Sequence, residues 1–393
     1  MPTCFFSIVL PTKDRALLLE PLIKSILDQD FKDFELIISD NSDNEETQDL
    51  LTRFQDKRIN YTRTGGLKMA DNWDQSIKLA SGKYMLLFSD KMLIKKGALK
   101  YLHNYLENNP AECVTWDLDI SCDKEKVFFK SPQLDHKSKI NSKELIKKII
   151  LSDYRSYDIA PFHCNSCISV KLLNKIRSQS GRISHQLNPD YTLSYQVVLN
   201  VQYIHRLEKS LVILRQKDLE AGYGNGFSFI KKAEAANQFI QDNKDWFIKT
   251  NQSKDIPIHG NHFEIDIIMK DLYEILRKSN IDPNVYAGYE KRLVSYYCRT
   301  FDEIYWRIGM GVNMSNEKLS WKKALIKEKT CIQNEVNVYL NTKKLEIISN
   351  SAKKIIKSLP VISHLVYFLR AYLKIKKGLK FSSFDQLLED QRI

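Results

Sequence analysis

The first hundred residues alternate short apolar runs with stretches of helical periodicity, and each apolar run ends in polar residues. Three such runs occupy residues 5–10, 35–39 and 83–88, and the polar segments 11–15, 40–44 and 89–91 follow them. Strands that alternate with helices build mainly parallel sheets, and these sheets bind ligands at the carboxyl ends of their strands. The sequence therefore predicts an α/β fold with a ligand site along that edge of the sheet.

The chain is long enough for more than one hydrophobic core. It has 393 residues, of which 43% are hydrophobic and 27% charged, as expected for a folded globular protein. Strand-like and helical segments mix up to the glycine-containing loop at 221–227, and helical periodicity dominates from about residue 233. We expect three parts, namely an α/β domain over 1–240, a helical region over 241–345 and a basic amphipathic tail over 346–393.

The positive charge is concentrated near the C-terminus. Ten lysines and arginines lie between residues 340 and 380 against the single acid Glu346, so this segment carries a net charge of +9 out of the formal net charge of +12 for the chain. A general nucleic-acid surface would spread basic residues over a folded domain, so we do not expect nucleic acid as a partner. From Pro360, apolar residues recur at helical spacing and basic residues cluster at 370–377. This pattern predicts a basic amphipathic helix at an anionic membrane surface, although a helix packed on the core has the same pattern.

Membrane spans and disulfides are not expected. No stretch reaches about 18 uncharged apolar residues, and the N-terminus lacks the pattern of a signal peptide. The seven cysteines are scattered and odd in number, which favours a reducing compartment. Cys164 and Cys167 form a CxxC beside His163, but no second pair completes a zinc site, and we favour small buried residues there. We expect a cytoplasmic protein.

Three segments together resemble a known family. They are SIVLPTKDR at 7–15, ELIISDNSD at 35–43 and MADNWDQSIKLASGKYMLLFSD at 69–90. In this order and spacing they are similar to the nucleotide-sugar domain of the family 2 glycosyltransferases, which have the GT-A fold. The resemblance covers roughly residues 5–240. It implies a GT-A domain with a mixed, mainly parallel central sheet, followed by a C-terminal helical region.

The resemblance implies a donor pocket at the first two strand ends. Pro11, Thr12 and Asp14 would line the pocket for base and ribose, and Asp40 would accept a hydrogen bond from the nucleobase. A carboxylate accepts and cannot donate, so it suits the imide N–H of uracil or thymine. Guanine offers similar donors, which leaves the base open although we favour a UDP-sugar.

Three more polar residues are implied to approach the donor. Asn72 and Asp74 flank the start of a helix, and Asp90 ends the strand where the family carries its acidic metal motif. Aspartates also favour turns and helix caps, which is the alternative for each of these acids. Their occurrence in register with the family favours a role in donor binding.

The sequence departs from the family directly after Asp90. Lys91 and Met92 stand where a further acid is usual, and neither an ammonium nor a thioether suits a hard divalent cation. We expect no metal to be required, with Lys91 acting as the cation that stabilises the departing diphosphate. Two alternatives stay open: Asp90 alone anchors Mg²⁺ or Mn²⁺, or the site has lost turnover.

A candidate catalytic base lies further along the chain. Asp190, in Asn-Pro-Asp-Tyr, resembles a Pro-Asp-aromatic pattern of one branch of the family, where a carboxylate deprotonates the acceptor hydroxyl. An N-cap of the following helix is the alternative role. His163, His185 and Tyr157 are weaker candidates for acceptor or phosphate contacts, and the glycine-rich loop 222–226 is a candidate lid.

These features predict an inverting glycosyltransferase of hexosyltransferase type in surface polysaccharide synthesis, such as capsule or lipopolysaccharide. It would take a nucleotide-sugar donor and a glycan or lipid-linked acceptor. The resemblance also implies a peripheral position on the inner face of the bacterial membrane. A non-catalytic GT-A module that binds a glycan or a partner enzyme is the alternative from another class.

Deletion of residues 358–393 tests the predicted tail. We expect the full chain to bind anionic liposomes at low salt and the shortened chain to lose this binding, because the basic apolar segment is removed. Co-sedimentation measures the bound fraction, and neutral liposomes serve as the control. A full-length chain that ignores anionic liposomes at low salt would contradict the interfacial helix.

Overall fold

A computed structural model describes residues 2–124, 126–131, 138–151, 160–184, 188–217, 264–309, 313–349, 379–380 and 383–393. These residues divide into two compact units. The first unit contains the described residues up to 144, those of 160–217 and those of 379–393. The second unit contains the described residues 145–151 and 264–349.

Strands are found in the first unit. They are β1 (Phe6–Thr12), β2 (Phe34–Asp40), β3 (Ile59–Arg63), β4 (Tyr84–Leu87), β5 (Met92–Ile94), β6 (Cys113–Thr115), β7 (Leu118–Cys122), β8 (Val127–Phe129), β9 (Ser138–Asn141), β10 (Ser166–Ser169), β11 (Tyr203–Arg206), β12 (Val212–Gln216) and β13 (Leu379–Lys380).

Helices occur in both units. They are α1 (Ala16–Leu27), α2 (Glu46–Leu51), α3 (Met69–Lys78), α4 (Ala98–Asn108), α5 (Ser142–Ile150), α6 (Val170–Ser180), α7 (Pro189–Asn200), α8 (Glu264–Lys278), α9 (Tyr289–Gly309), α10 (Ser315–Ile326), α11 (Thr330–Ser349) and α12 (Phe384–Asp390), with a short 3₁₀-helix at Pro283–Val285.

A mixed eight-stranded sheet forms the centre of the first unit, in the order β3-β2-β1-β4-β10-β6-β11-β9. The first four strands are parallel, whereas β10 runs antiparallel to both β4 and β6. A five-stranded sheet has the order β13-β8-β7-β12-β5. The predicted α/β class with a mixed central sheet and a later helical region is confirmed.

The central strands are buried because both their sides carry apolar residues. All seven residues of β1 are buried, and α1 packs Leu19, Leu22, Ile23 and Ile26 into the same core. These positions follow the three- and four-residue spacing of one helix face. Burial of this continuous apolar surface fixes the register of β1 against its neighbours.

The C-terminal residues 379–393 contribute to the first unit. β13 pairs antiparallel with β8, and Leu387 and Leu388 of α12 pack against Leu93, Phe128 and Ile213. The end of the expected tail over 346–393 is therefore a strand and a helix of the α/β unit. Residues 350–378, which include the predicted basic amphipathic helix, lie outside the described residues.

The second unit is helical in its described residues. Five apolar residues of α8 recur at helical spacing and are buried, namely Ile268, Met269, Leu272, Ile275 and Leu276. In α9 and α10, the indole of Trp321 donates to the Tyr297 carbonyl at 3.0 Å. The Asp282-Pro283 pair predicts a break in the helical pattern, and the structure confirms it. The Asp282 side chain caps the 3₁₀-helix by accepting from the Asn284 N–H at 2.9 Å.

The sequence pattern of residues 113–120 predicts a single strand, and this prediction is wrong. The chain breaks at Trp116 and Asp117, and β6 and β7 belong to different sheets. The Trp116 N–H donates to the Asn165 carbonyl at 3.1 Å, and Asp117 forms an ion pair with Arg206. These partners are distant in sequence, so apolar periodicity could not reveal the break.

No helix in the described ranges has both the length and the apolar character needed to cross a bilayer.

Candidate active site

Three parallel strand ends meet at one edge of the eight-stranded sheet. Thr12 at the end of β1 is in register with Asp40 at the end of β2. On the other side of β1, the Phe88 N–H after β4 donates to the Val9 carbonyl at 2.9 Å, and the chain continues to Asp90. The Thr12 hydroxyl lies 3.4 Å from Asp90 Oδ2. The predicted convergence of polar residues at this edge is therefore present.

Asp90 is a buried carboxylate held by a cation. Its side chain is 5% exposed, and Arg15 Nη1 lies 3.2 Å from Oδ1. Burial raises the pKa of Asp90, and the positive charges of Arg15 and Lys91 oppose this rise. Sequence reasoning assigned no role to Arg15, although it closes the first family segment. The signal that could have identified Arg15 is a basic residue after one strand of the sheet together with an acid after the neighbouring strand.

The loop after β1 is tied to the loop after β2. Asp14 has a positive φ of 52°, its N–H donates to Ser42 Oγ at 2.8 Å, and its Oδ1 accepts from the Asp43 N–H at 3.0 Å. Lys13 and Asp43 form an ion pair at 3.1 Å. A positive φ is unfavourable for a residue with a side chain, and these hydrogen bonds compensate for it. Pro11 lies within β1 and is buried, one residue from the edge.

Asp40 is completely buried, and both its carboxylate oxygens are bonded within the protein. Oδ1 accepts from the Ser42 N–H at 3.0 Å, and Oδ2 accepts from the Tyr61 hydroxyl at 2.9 Å. Burial and the Asp40 charge raise the pKa of Tyr61 to about 12, so this hydroxyl keeps its proton and donates. Asp40 therefore links the loop after β2 to Tyr61 of β3. Its direct contact with a nucleobase stays a prediction.

Asn72 and Asp74 lie in α3 with buried side chains. Asn72 Oδ1 accepts from Ser39 Oγ at 2.7 Å, and its Nδ2 donates to the Ser39 carbonyl at 3.2 Å. Asp74 Oδ1 accepts from the Ile183 N–H at 2.8 Å, and Oδ2 pairs with Lys78 at 3.2 Å. The two residues thus anchor α3 to β2 and to the chain after α6. A contact between either side chain and the donor stays a prediction.

Asp190 lies in the first turn of α7. The helix begins at Pro189 with Asn188 as its N-cap residue, so the expected alternative of Asp190 as the N-cap is wrong. Asp190 Oδ1 accepts from the Tyr191 N–H at 2.9 Å, and its side chain is 30% exposed. Burial raises the pKa of Asp190, while that N–H and the Lys91 charge lower it. A half-buried carboxylate with a raised pKa has the properties of a general base.

Lys91 lies in the turn between β4 and β5 and is half-buried. Its positive charge acts on the carboxyl groups of Asp90 and Asp190 and on His163. In the part of the chain that the structure describes, its ammonium group has no recorded hydrogen bond or ion pair. Lys91 is thus a cation available to an anionic ligand beside the candidate base.

The described side chains here do not fit a divalent metal ion. Asp90 already has Arg15 as its cationic partner and Lys91 beside it, and a further dication would meet their repulsion. Met92 is fully buried in the core of β5, so its thioether is not a ligand at this edge. Among the described residues, no group of three or more His, Cys, Asp or Glu side chains has the arrangement of a metal site.

Three of the remaining candidates lie outside the described residues, namely Tyr157, His185 and the loop 222–226. Cys167 lies inside β10 and is completely buried, and burial raises the pKa of the Cys164 thiol to about 12. His163 lies beside Asp190, with 3.9 Å between Nδ1 and Oδ2.

Comparison with known proteins gives a family match in the N-terminal part of the chain. Residues 7–170 match the family model described as Glycosyl transferase family 2. Over these residues, the match confirms the family predicted from the three sequence segments.

A curated relative and several solved structures are also similar. The "GalNAc(5)-diNAcBac-PP-undecaprenol beta-1,3-glucosyltransferase" of Campylobacter jejuni subsp. jejuni is 37% identical over 100 residues, which are 24% of this chain and 32% of that protein. The chain thus matches about a third of the relative's length. S. aureus TarS 1-349 in complex with UDP-GlcNAc is 14% identical, with a TM-score of 0.48 over 92% of this chain and 90% of that chain. Its complex with UDP is 15% identical, with a TM-score of 0.45 over 86% and 91%.

Replacement of Asp40 by alanine tests the nucleotide end of the site. We expect UDP affinity to fall by roughly 1.5 to 3 kcal/mol, the range for a hydrogen bond to a charged group. Titration calorimetry measures the affinity, and circular dichroism checks folding, because the substitution also leaves the Ser42 N–H and the Tyr61 hydroxyl unpaired. Tyr61→Phe is the matched control, since it retains the carboxylate and should retain UDP affinity. Unchanged affinity in a folded Asp40→Ala protein would contradict the pocket.

Proposed function

We propose that this chain is an inverting glycosyltransferase that moves a sugar from a UDP-sugar to a lipid-linked glycan in surface polysaccharide synthesis. The observation that carries the proposal is a half-buried Asp190 carboxylate in the first turn of α7, whose ionised form is favoured by the positive charge of Lys91. Sugar transfer requires a base for the acceptor and a cation for the leaving diphosphate. The family of the N-terminal domain supports the same activity.

Asp190 takes the proton of the acceptor hydroxyl as that oxygen attacks the anomeric carbon. The bond between this carbon and the diphosphate oxygen breaks as the new bond forms, and UDP leaves with the electron pair. Attack opposite to the leaving group inverts the configuration at the anomeric carbon. The raised pKa of Asp190 makes it a stronger base than an exposed aspartate while the positive charge of Lys91 favours its ionised form.

Lys91 stabilises the negative charge that develops on the diphosphate. An ammonium group fixed beside the reacting atoms costs little reorganisation during the reaction. Arg15 holds Asp90 and adds a second positive charge at the same edge. With these two cations, transfer proceeds without a metal ion in this proposal.

Uracil is the favoured base because Asp40 is an acceptor. Each carboxylate oxygen can accept two hydrogen bonds, so its bonds to Ser42 and Tyr61 leave capacity for an imide N–H. Guanine also offers N–H donors, and a panel of nucleotides distinguishes the two.

The lipid-linked acceptor is proposed from the relative, whose name specifies a PP-undecaprenol substrate. An acceptor in a membrane favours an enzyme at the membrane surface. The basic segment 360–380 supplies the charge for such attachment to anionic lipid on the inner face.

Asp190→Asn tests the proposed enzyme, because the amide keeps the size of the side chain and cannot accept the proton. We expect UDP release from UDP-glucose, UDP-GlcNAc and UDP-GalNAc to fall at least 10²-fold, at the low end of general-base catalysis, with UDP binding retained. Asp49→Asn, on the exposed face of α2, is the matched control. The base must be ionised, so the wild-type rate should fall as the pH drops through the raised pKa, above the ordinary value of about 3.9.

Absence of turnover in the wild type with all three donors, together with retained UDP binding, would favour the non-catalytic module. Full activity of Asp190→Asn would show that another group is the base.

Lys91→Ala tests whether Lys91 is the cation that stabilises the leaving diphosphate. We expect turnover to fall by roughly 10²- to 10³-fold, the scale of one preorganised electrostatic donor, and wild-type activity to survive EDTA. Donor affinity should fall less, and Lys100→Ala on the exposed side of α4 is the control. If EDTA abolishes turnover and Mg²⁺ or Mn²⁺ restores it, Asp90 anchors a metal ion and the proposed role of Lys91 is wrong.

A further inference from the structure

The imidazole of His163 is a buried polar group that the proposed reaction has not used. Its side chain is 13% exposed, and its ring packs edge-on against the indole of Trp73, with 5.1 Å between the ring centroids. Among the described residues, the Nδ1 atom has no hydrogen-bond partner, and it lies 3.9 Å from Asp190 Oδ2. Buried nitrogen atoms are nearly always hydrogen-bonded, so this one calls for an explanation.

The distance itself points to a bond that is not yet formed. A hydrogen bond between nitrogen and oxygen spans about 2.7 to 3.2 Å, so Nδ1 and Oδ2 are roughly 1 Å too far apart. Catalytic hydrogen bonds are often long before the substrate binds and shorten in the reactive complex.

The charge state of His163 determines what it can do. Burial and the nearby Lys91 ammonium lower the pKa of His163 to about 3, so the ring is neutral at working pH. A neutral imidazole carries one N–H and can donate one hydrogen bond. The other groups beside Asp190 are the Lys91 ammonium, the Tyr191 N–H and the thiol of Cys164, whose pKa burial raises to about 12. The thiol therefore stays neutral as well.

We propose that His163 is the positioning residue of the catalytic base: its Nδ1–H closes onto Asp190 Oδ2 when substrates bind. The bond fixes the orientation of the carboxylate and favours its ionised form. Trp73 holds the ring against rotation by packing on it. This inference rests on the proposed function, because it requires Asp190 to be the base.

Two substitutions distinguish a positioning role of His163 from a packing role. His163→Asn supplies an amide N–H close to the position of Nδ1, whereas His163→Leu fills similar space without a donor. We expect His163→Leu to lower kcat for UDP release about 10- to 100-fold, the scale of a hydrogen bond to a charged group, with KM for the UDP-sugar nearly unchanged. The acid limb of its pH profile should move to higher pH, because the carboxylate loses a donor that favours ionisation. His163→Asn should recover most of the rate.

His205→Asn is the matched control. His205 of β11 is also buried, and burial likewise lowers its pKa, but its Nδ1 is bonded to the Tyr105 hydroxyl at 3.1 Å. We expect its kcat and pH profile to match the wild type. Equal losses in His163→Asn and His163→Leu, or an unmoved acid limb, would overturn the positioning role.

A measurement without substrate tests the same bond. Nitrogen-15 NMR of histidine-labelled protein distinguishes the two neutral tautomers, and the Nδ1–H form of His163 is expected. The Nε2–H form would overturn the proposal whatever the activity. Full activity of Asp190→Asn would instead refute the base assignment, whereas an inactive Asp190→Asn with a fully active His163→Leu refutes the role of His163 alone.

Discussion

The parallel pairing of β1 with β2 on one side and β4 on the other is the constraint on which the candidate site depends. Parallel strands end on the same edge, so a register that aligns Thr12 with Asp40 also brings Asp90 to that edge. Phe6, Ile8 and Leu10 on one face of β1 pack in the same core as α1, and a shift by one position would turn them away from that core. Core packing therefore fixes the spacing of the polar residues at the edge.

The charges at this edge form a balanced set. Asp90 is too buried to carry an unpaired charge at low cost, and Arg15 compensates for it. Lys91 has no such partner in the described residues, and it influences Asp190 and His163 instead. A cation without a partner attracts an anionic ligand, and a half-buried carboxylate beside it retains basicity. The two properties together suit transfer from a diphosphate donor, with His163 as a neutral neighbour that leaves the charge balance unchanged.

Much of the fold was predictable because its signals are local. The apolar runs of β1, β2 and β4, the helical spacing of α1 and the break at Asp282 all depend on residues close in sequence. The break between β6 and β7 depends on Asn165 and Arg206, which periodicity does not record. In the site, Asp90 and Asp190 were predicted from motifs, but Arg15 was missed because its role depends on an acid 75 residues away.

The sequence by itself determined the alternation of strands and helices, the polar residues at the strand ends and the replacement of a family acid by Lys91. These follow from residue type and local spacing. The tertiary structure alone decided which polar groups are already bonded within the protein, as Asp40 is to Tyr61. It also decided which groups have no such bond among the described residues, namely the ammonium of Lys91 and Nδ1 of His163. Hydrogen bonds and burial depend on distances between residues far apart in the chain, and only folding sets those distances.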